Sequence, residues 1–185
     1  MRSSLAVSAV LAGVLLAGCG SGADGALPEQ TGTPAPEPTA EEPARTAPAK
    51  SVAVADQCSL LTPEQLSALG FDQQPRARES QGVPGCQFEA GEPGSPGWGA
   101  FVAADQRTMQ DFLAAGRGAV QGDLGGYPTA QVDNGSGCLL SIDVSDSGSL
   151  FVNAIVRPGA DPEVGSGCDA ATRVAEAAIA NLPNA

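Results

Sequence analysis

The chain has 185 residues, which suits one domain with an extension and excludes a large multidomain protein. It carries 21 acidic and 9 basic residues, a formal net charge of −12, and no histidine. Because binding to nucleic acid needs clustered lysine and arginine, we expect no nucleic-acid partner. The lack of histidine also removes the commonest general base and metal ligand.

Residues 1–18 predict an export signal peptide. Arg2 precedes an apolar run of about a dozen residues, which is too short for a bilayer core that needs roughly 20. The next residues, 16–19, read Leu-Ala-Gly-Cys and resemble the lipobox of bacterial lipoproteins. The resemblance implies cleavage before Cys19 and a covalent diacylglycerol on its thiol. We therefore expect lipidation at Cys19, a membrane partner through this anchor, and a location on the extracytoplasmic face of the cell membrane.

Residues 19–51 predict a disordered tether rich in proline, alanine and glutamate. Leu27 is its only large apolar side chain, so the segment cannot bury enough surface to fold alone. It would span about 30 Å as a coil and up to roughly 100 Å if extended. The run from Pro34 to Pro38 could also serve as a docking motif, but a solvated spacer is the preferred interpretation.

Residues 52–185 form the expected folded domain, with cysteines at Cys58, Cys86, Cys138 and Cys168. They lack zinc-site spacing, and an even number in an exported chain favours two disulfides. Among the three pairings we favour Cys58–Cys86 and Cys138–Cys168. In each of these pairs one cysteine flanks a predicted helix start and the other lies in a predicted strand.

Three helices are predicted in this domain. The first starts at Thr62, where Thr-Pro-Glu-Gln is a capping box with proline at the first helical position, and it stops near Gly70. A shorter helix covers residues 108–115. The last starts at Ser166, in a second capping box, and runs to about Asn181.

Alternating apolar residues predict strands between these helices. We expect one hairpin from residues 140–144 and 150–155 and another from residues 86–89 and 98–103. A fifth strand is expected at residues 127–132. This order predicts an α+β fold, in which helices pack on an antiparallel sheet.

Four motifs with cysteines in fixed places resemble a known family. They are residues 58–70 (Cys-Ser-Leu-Leu-Thr-Pro-Glu-Gln-Leu-Ser-Ala-Leu-Gly), residues 85–88 (Gly-Cys-Gln-Phe), Gly137-Cys138, and Cys168-Asp169. The pattern resembles an actinobacterial secreted lipoprotein family that carries a single cysteine-rich domain of unknown function. The resemblance covers nearly the whole chain and supports the fold, the anchor and the disulfides. It implies no reaction.

No set of residues in the sequence forms a catalytic motif. Histidine-based triads are absent, and Lys50, the only lysine, lies in the tether. Gly-Ser-Gly-Cys occurs at 135–138 and 165–168, where we interpret it as the start of a strand and a helix cap. No carboxylate pair stands out among the acidic residues that could act in a hydrolase, which include Glu64, Glu79, Glu89, Glu92, Asp105 and Asp111.

Some residues could bind a ligand or a metal. Asp143 and Asp146 flank the hairpin turn but do not match a calcium loop. Trp98, Phe101 and Tyr127 would suit a binding cleft, although aromatic residues in strands are more often core. The loop Gly91–Gly97 is a candidate recognition loop.

We therefore expect a non-enzymatic, lipid-anchored protein that has no metal and binds an envelope protein or a small envelope ligand. The alternatives are a carboxylate-dependent cell-wall or glycan hydrolase and a purely structural or antigenic spacer.

Overall fold

The computed structural model describes residues 44–80, 82–115 and 118–185. The predicted signal peptide, the lipidation site Cys19 and most of the predicted tether lie outside these residues. Within them, no helix is long and apolar enough to span a membrane.

A single antiparallel sheet of seven strands forms the centre of the domain, and it confirms the predicted α+β class. The spatial order of the strands is β1-β2-β3-β7-β6-β5-β4. Their bounds are β1 Arg76–Ser80, β2 Val83–Ala90, β3 Trp98–Asp105, β4 Val120–Leu124, β5 Tyr127–Asp133, β6 Gly137–Ser145 and β7 Gly148–Val156.

In the part of the chain that the structure describes, three α-helices accompany the sheet: α1 Pro63–Ala68, α2 Met109–Ala115 and α3 Gly167–Asn181. Both predicted capping boxes are present. The Thr62 hydroxyl accepts from the backbone N–H of Gln65, and the Ser166 hydroxyl accepts from that of Asp169. These bonds satisfy N–H groups that have no partner within the helix.

The main core lies between one face of the sheet and α1 and α3. Alternate strand residues point into it, as Leu140, Ile142 and Val144 of β6 do, and α3 contributes buried alanines and Val174. We call the opposite side of the sheet the outer face. A smaller apolar cluster lies there and consists of Val83, Phe101, Ala103 and Phe151.

Two disulfides join helical segments to the core side of the sheet, in the favoured pairings. Cys58, in a short 3₁₀ helix at Gln57–Leu60, bonds to Cys86 in β2. Cys138 in β6 bonds to Cys168 in the first turn of α3. Each bridge therefore holds a helix start on a strand.

Residues 44–51, the last part of the predicted tether, pack against one end of the sheet. The backbone N–H of Thr46 donates to the carbonyl of Gly126 at 2.9 Å, and the Tyr127 hydroxyl donates to the carbonyl of Pro48 at 2.8 Å. These groups come from the β4–β5 turn, far along the chain, so a composition rule could not reveal them. The folded domain includes this segment.

Two strands, β1 and β4, were not predicted. They form the two edges of the sheet, and most of their residues are exposed. A strand exposed on both faces has no alternating pattern, so only its pairing with β2 or β5 defines it.

Candidate functional site

A pocket of about 330 Å³ lies between α2 and the outer face of the sheet. We call it the α2 pocket. It is lined by Ser80, Asp105, Arg107, Thr108, Asp111, Phe112, Ala115, Val132, Leu139, Ser141, Ser149 and Phe151. Its volume lies at the lower end of the range typical of small-molecule sites.

Helix α2 crosses the outer face because it lies in the connection from β3, near the middle of the sheet, to β4 at the edge. Thr108 and Asp111 fix its start: the Asp111 carboxylate accepts from the Thr108 backbone N–H and hydroxyl, both at 2.8 Å. Met109 is buried, and the Phe112 ring centre lies 6.3 Å from that of Phe151 in β7. The pocket is thus formed by a capped helix lying over a regular sheet.

Ser141 in β6 is a buried polar residue in the wall of the α2 pocket. The residue is 1% exposed, and its Oγ has no hydrogen-bond partner among the described residues. Its cross-strand neighbours are Ala130 and Phe151, which offer no polar side chain. A buried hydroxyl without a partner costs about 1–3 kcal/mol, so a group of this kind in a pocket wall needs an explanation.

Charged groups in the wall of the pocket are already paired or hydrogen-bonded. Arg107 forms an ion pair with Asp105, and the Ser149 hydroxyl donates to the Arg107 carbonyl at 2.8 Å. The Thr108 backbone and side chain hydrogen-bond to Asp111 and hold the pKa of that carboxyl below its ordinary value. The pocket therefore combines an apolar interior with a charged side that is largely satisfied internally.

The structure brings two of the candidate carboxylates, Asp105 and Asp111, into the lining of one pocket. Glu89 instead forms an ion pair with Arg157 at 3.0 Å. The remaining candidates, Glu64, Glu79 and Glu92, are exposed and do not line the pocket. The backbone N–H of Glu64 and the Thr62 side chain lower the pKa of Glu64, as expected in the first turn of a helix.

The three candidate aromatics are core residues. Trp98 packs on Phe71 on the core face of the sheet, which α1 and α3 cover, and the two ring centres are 4.4 Å apart. Phe101 belongs to the outer-face cluster, and Tyr127 is buried with its hydroxyl on the backbone. The aromatics of the α2 pocket are two others, Phe112 and Phe151.

The candidate recognition loop Gly91–Gly97 is fastened by Arg157, which follows β7. The Arg157 guanidinium donates to the carbonyls of Ala90 at 2.6 Å and Ser95 at 2.9 Å. The loop does not line the α2 pocket.

Asp143 and Asp146 both form ion pairs with Arg45, so they help to hold residues 44–51 against the sheet. Among the described residues, no group of three or more histidine, cysteine, aspartate or glutamate side chains could hold a metal ion.

The two Gly-Ser-Gly-Cys motifs meet in space. A Cβ atom on Gly167 would lie 2.7 Å from the Cα of Gly137, next to the Cys138–Cys168 bridge. The glycines allow the start of α3 to lie directly on the start of β6. The motifs therefore serve packing, in keeping with their interpretation as a strand start and a helix cap.

No signal in the sequence marked Ser141, Ser149, Phe112 or Phe151 as candidate site residues. Ser141 lies between Leu140 and Ile142 in a strand, so alternation places it on the face opposite the core. Only the path of α2 shows that this face is covered at Ser141.

One family model matches the chain, over residues 14–181, and its description is "Protein of unknown function (DUF3558)". A search of curated proteins and a search of solved structures each return no match.

Proposed function

The chain belongs to the DUF3558 family of proteins of unknown function, and from this premise we propose that it is a lipid-anchored binding protein. Its domain would take a small ligand of the cell envelope into the α2 pocket, on the extracytoplasmic face of the membrane. The family description carries no activity, so the site itself has to support the proposal.

The observation that carries the binding role is the α2 pocket with an unpaired hydroxyl in its wall. The pocket has room for a small molecule, its interior is mainly apolar, and Ser141 offers one hydrogen-bonding group without a partner. A concave, mainly apolar surface with a few polar groups is typical of small-molecule binding sites.

The anchoring role rests on the amino terminus. Arg2, the apolar run and the Leu-Ala-Gly-Cys motif at residues 16–19 have the order of a lipoprotein signal. The region matched by the family model begins at residue 14 and so includes this motif. The net charge of −12 suits a domain held away from an anionic membrane surface by a tether.

Membrane fractionation tests the anchor. We expect Cys19→Ala to move the protein from the membrane fraction to the soluble fraction, while Ser21→Ala leaves it in the membrane. Full membrane retention of Cys19→Ala would contradict lipid anchoring.

Native mass spectrometry tests the binding role. The protein is produced in a bacterium that recognises its lipoprotein signal and exports it. It is then purified gently and measured under native and afterwards under denaturing conditions. We expect a bound species of a few hundred daltons that is lost on denaturation. A bare polypeptide under both conditions would argue against a small ligand and shift attention to a protein partner, which crosslinking on intact cells would identify.

The hydrolase alternative has one observation in its favour, since Asp105 and Asp111 line the same pocket. A glycosidase needs one carboxyl with a raised pKa as general acid. The pKa of Asp111 is instead lowered by Thr108, and Asp105 is paired with Arg107. Turnover of cell-wall or glycan substrates that is abolished by Asp105→Asn or Asp111→Asn would establish the alternative.

A further inference from the structure

The chemistry of the α2 pocket defines the class of ligand, and this inference rests on the proposed binding function. We propose that the pocket binds an uncharged, mainly apolar molecule or chain end, whose single hydroxyl or amide group hydrogen-bonds with the Oγ of Ser141.

The size sets an upper limit on what can be enclosed. The pocket measures about 330 Å³. A group the size of a water molecule occupies about 30 Å³ in a liquid, so the pocket holds about ten such groups. This corresponds to a medium-length alkyl or prenyl segment or to a substituted aromatic ring.

The walls require the body of the ligand to be apolar. Phe112 of α2 lies opposite Phe151 of β7, and Val132 and Leu139 extend the same surface across β5 and β6. These side chains offer no hydrogen bonds. A polar group placed among them would lose its contacts with water without replacement, which is costly.

Ser141 supplies the exception. Its Oγ can donate one hydrogen bond and accept others, and no described group uses it. It is flanked on the neighbouring strands by Ala130 and Phe151, which offer no polar side chain, so a group bound in the pocket is the partner that we propose. Ligand binding would give this hydroxyl a hydrogen-bond partner.

The charges argue against an anionic group on the ligand. Among the lining residues that the structure describes, Arg107 is the one basic residue, and it is already paired with Asp105. Asp111 adds a second carboxylate to the lining, and the chain as a whole has a net charge of −12. A buried anion would face repulsion without compensation, whereas a hydroxyl or amide would not.

A matched set of three probes separates these requirements. The alcohol 1-octanol, the acid octanoate and the amine octylamine share one alkyl chain, and at neutral pH they are neutral, anionic and cationic. Each is titrated into the ¹⁵N-labelled chain from Gly20 to Ala185, with its disulfides formed. Backbone amide shifts report both the affinity and the location.

We expect saturable shifts at Ser141, Phe112 and Phe151 with 1-octanol, and binding of octanoate at least ten-fold weaker. Octanoate that binds as tightly as the alcohol would overturn the uncharged class while leaving the binding function intact. If none of the three probes shifts the amides of the pocket, both this inference and the small-ligand function fail.

Substitutions of Ser141 test the hydrogen bond. We expect Ser141→Ala to weaken 1-octanol binding about ten-fold, as loss of one hydrogen bond does, and Ser141→Thr to restore part of it. The control is Ser67→Ala, at an exposed position of α1 on the other face of the sheet, which should leave the affinity for 1-octanol unchanged. An unchanged affinity in Ser141→Ala would refute the role of this hydroxyl, and the melting temperature shows whether the variant is folded.

Discussion

Removal of the Cys138–Cys168 disulfide should destabilise the domain by an amount that follows from its loop. The bridge closes a segment with a sequence separation of 30. In the chain-entropy model such a loop contributes about 3.6 kcal/mol at 25 °C, because it restricts the unfolded chain. Typical domains have a free energy of unfolding of about 5–15 kcal/mol, so the loss is a large part of the total.

The double variant Cys138→Ala/Cys168→Ala removes the bridge without leaving thiols. Equilibrium urea unfolding of this variant and of the unmodified protein gives the difference in free energy directly. We expect the free energy of unfolding to fall by about 3–5 kcal/mol. Any loss beyond the loop-entropy contribution reflects the two sulfur atoms missing from a packed site. A melting temperature lower by about 10 °C should accompany it.

Cys58→Ala/Cys86→Ala is the matched control, because its loop has a similar separation of 28. The entropy model predicts nearly the same loss for both variants. The two variants should differ in the local stability of the helix that each bridge holds. Without its bridge, α3 is still held by its buried apolar face, whereas the short 3₁₀ helix at Gln57–Leu60 buries much less and is held less firmly. A loss below about 1.5 kcal/mol in the Cys138→Ala/Cys168→Ala variant would refute the reasoning from loop entropy.

Three further predictions concern packing, a loop and pH. Gly167→Ala should destabilise by about 1 kcal/mol in thermal unfolding, because crowding against Gly137 outweighs the helix propensity of alanine; a stabilised variant would refute the close contact. Arg157→Lys should speed hydrogen exchange in the loop Gly91–Gly97, since lysine keeps the charge but loses the forked hydrogen bonds; unchanged exchange would show that the loop holds itself. The Ser166 hydroxyl and backbone N–H lower the pKa of Asp169, so its stabilising effect is complete above the pKa of the unfolded state and is lost as pH falls through the lower folded value. Asp169→Asn should therefore destabilise at pH 7, and its difference from the unmodified protein should vanish in acid.

The helices and the central strands follow from local patterns in the sequence. Thr62 and Ser166 cap helices through contacts only three residues away, and such contacts are legible in the chain itself. The strand of Leu140, Ile142 and Val144 is recognisable from the sequence because apolar residues occupy every second position. These residues face the core, and residues of other types lie between them. The disulfide pairing followed from these elements, because each bridge joins a helix start to a strand.

The edge strands and the amino-terminal boundary could not be predicted in this way. Most residues of β1 and β4 are exposed, so burial leaves no alternation in their sequences. Residues 44–51 have the composition of a tether, yet they find hydrogen-bond partners at Gly126 and Val144, which lie far away in the chain. Composition reports what a segment can bury, and it does not report what a distant turn offers.

The sequence by itself thus determined the fold class, the helix caps and the two disulfides, and it predicts the lipid anchor at Cys19. Only the tertiary structure showed the α2 pocket, where we propose that a ligand binds. Ser141 is one of many serines in the chain, and it becomes distinctive only because α2, from a different part of the chain, covers the sheet above it. Hydrogen-bond satisfaction is a property of the folded neighbourhood, so an unpaired buried hydroxyl has no counterpart in the sequence.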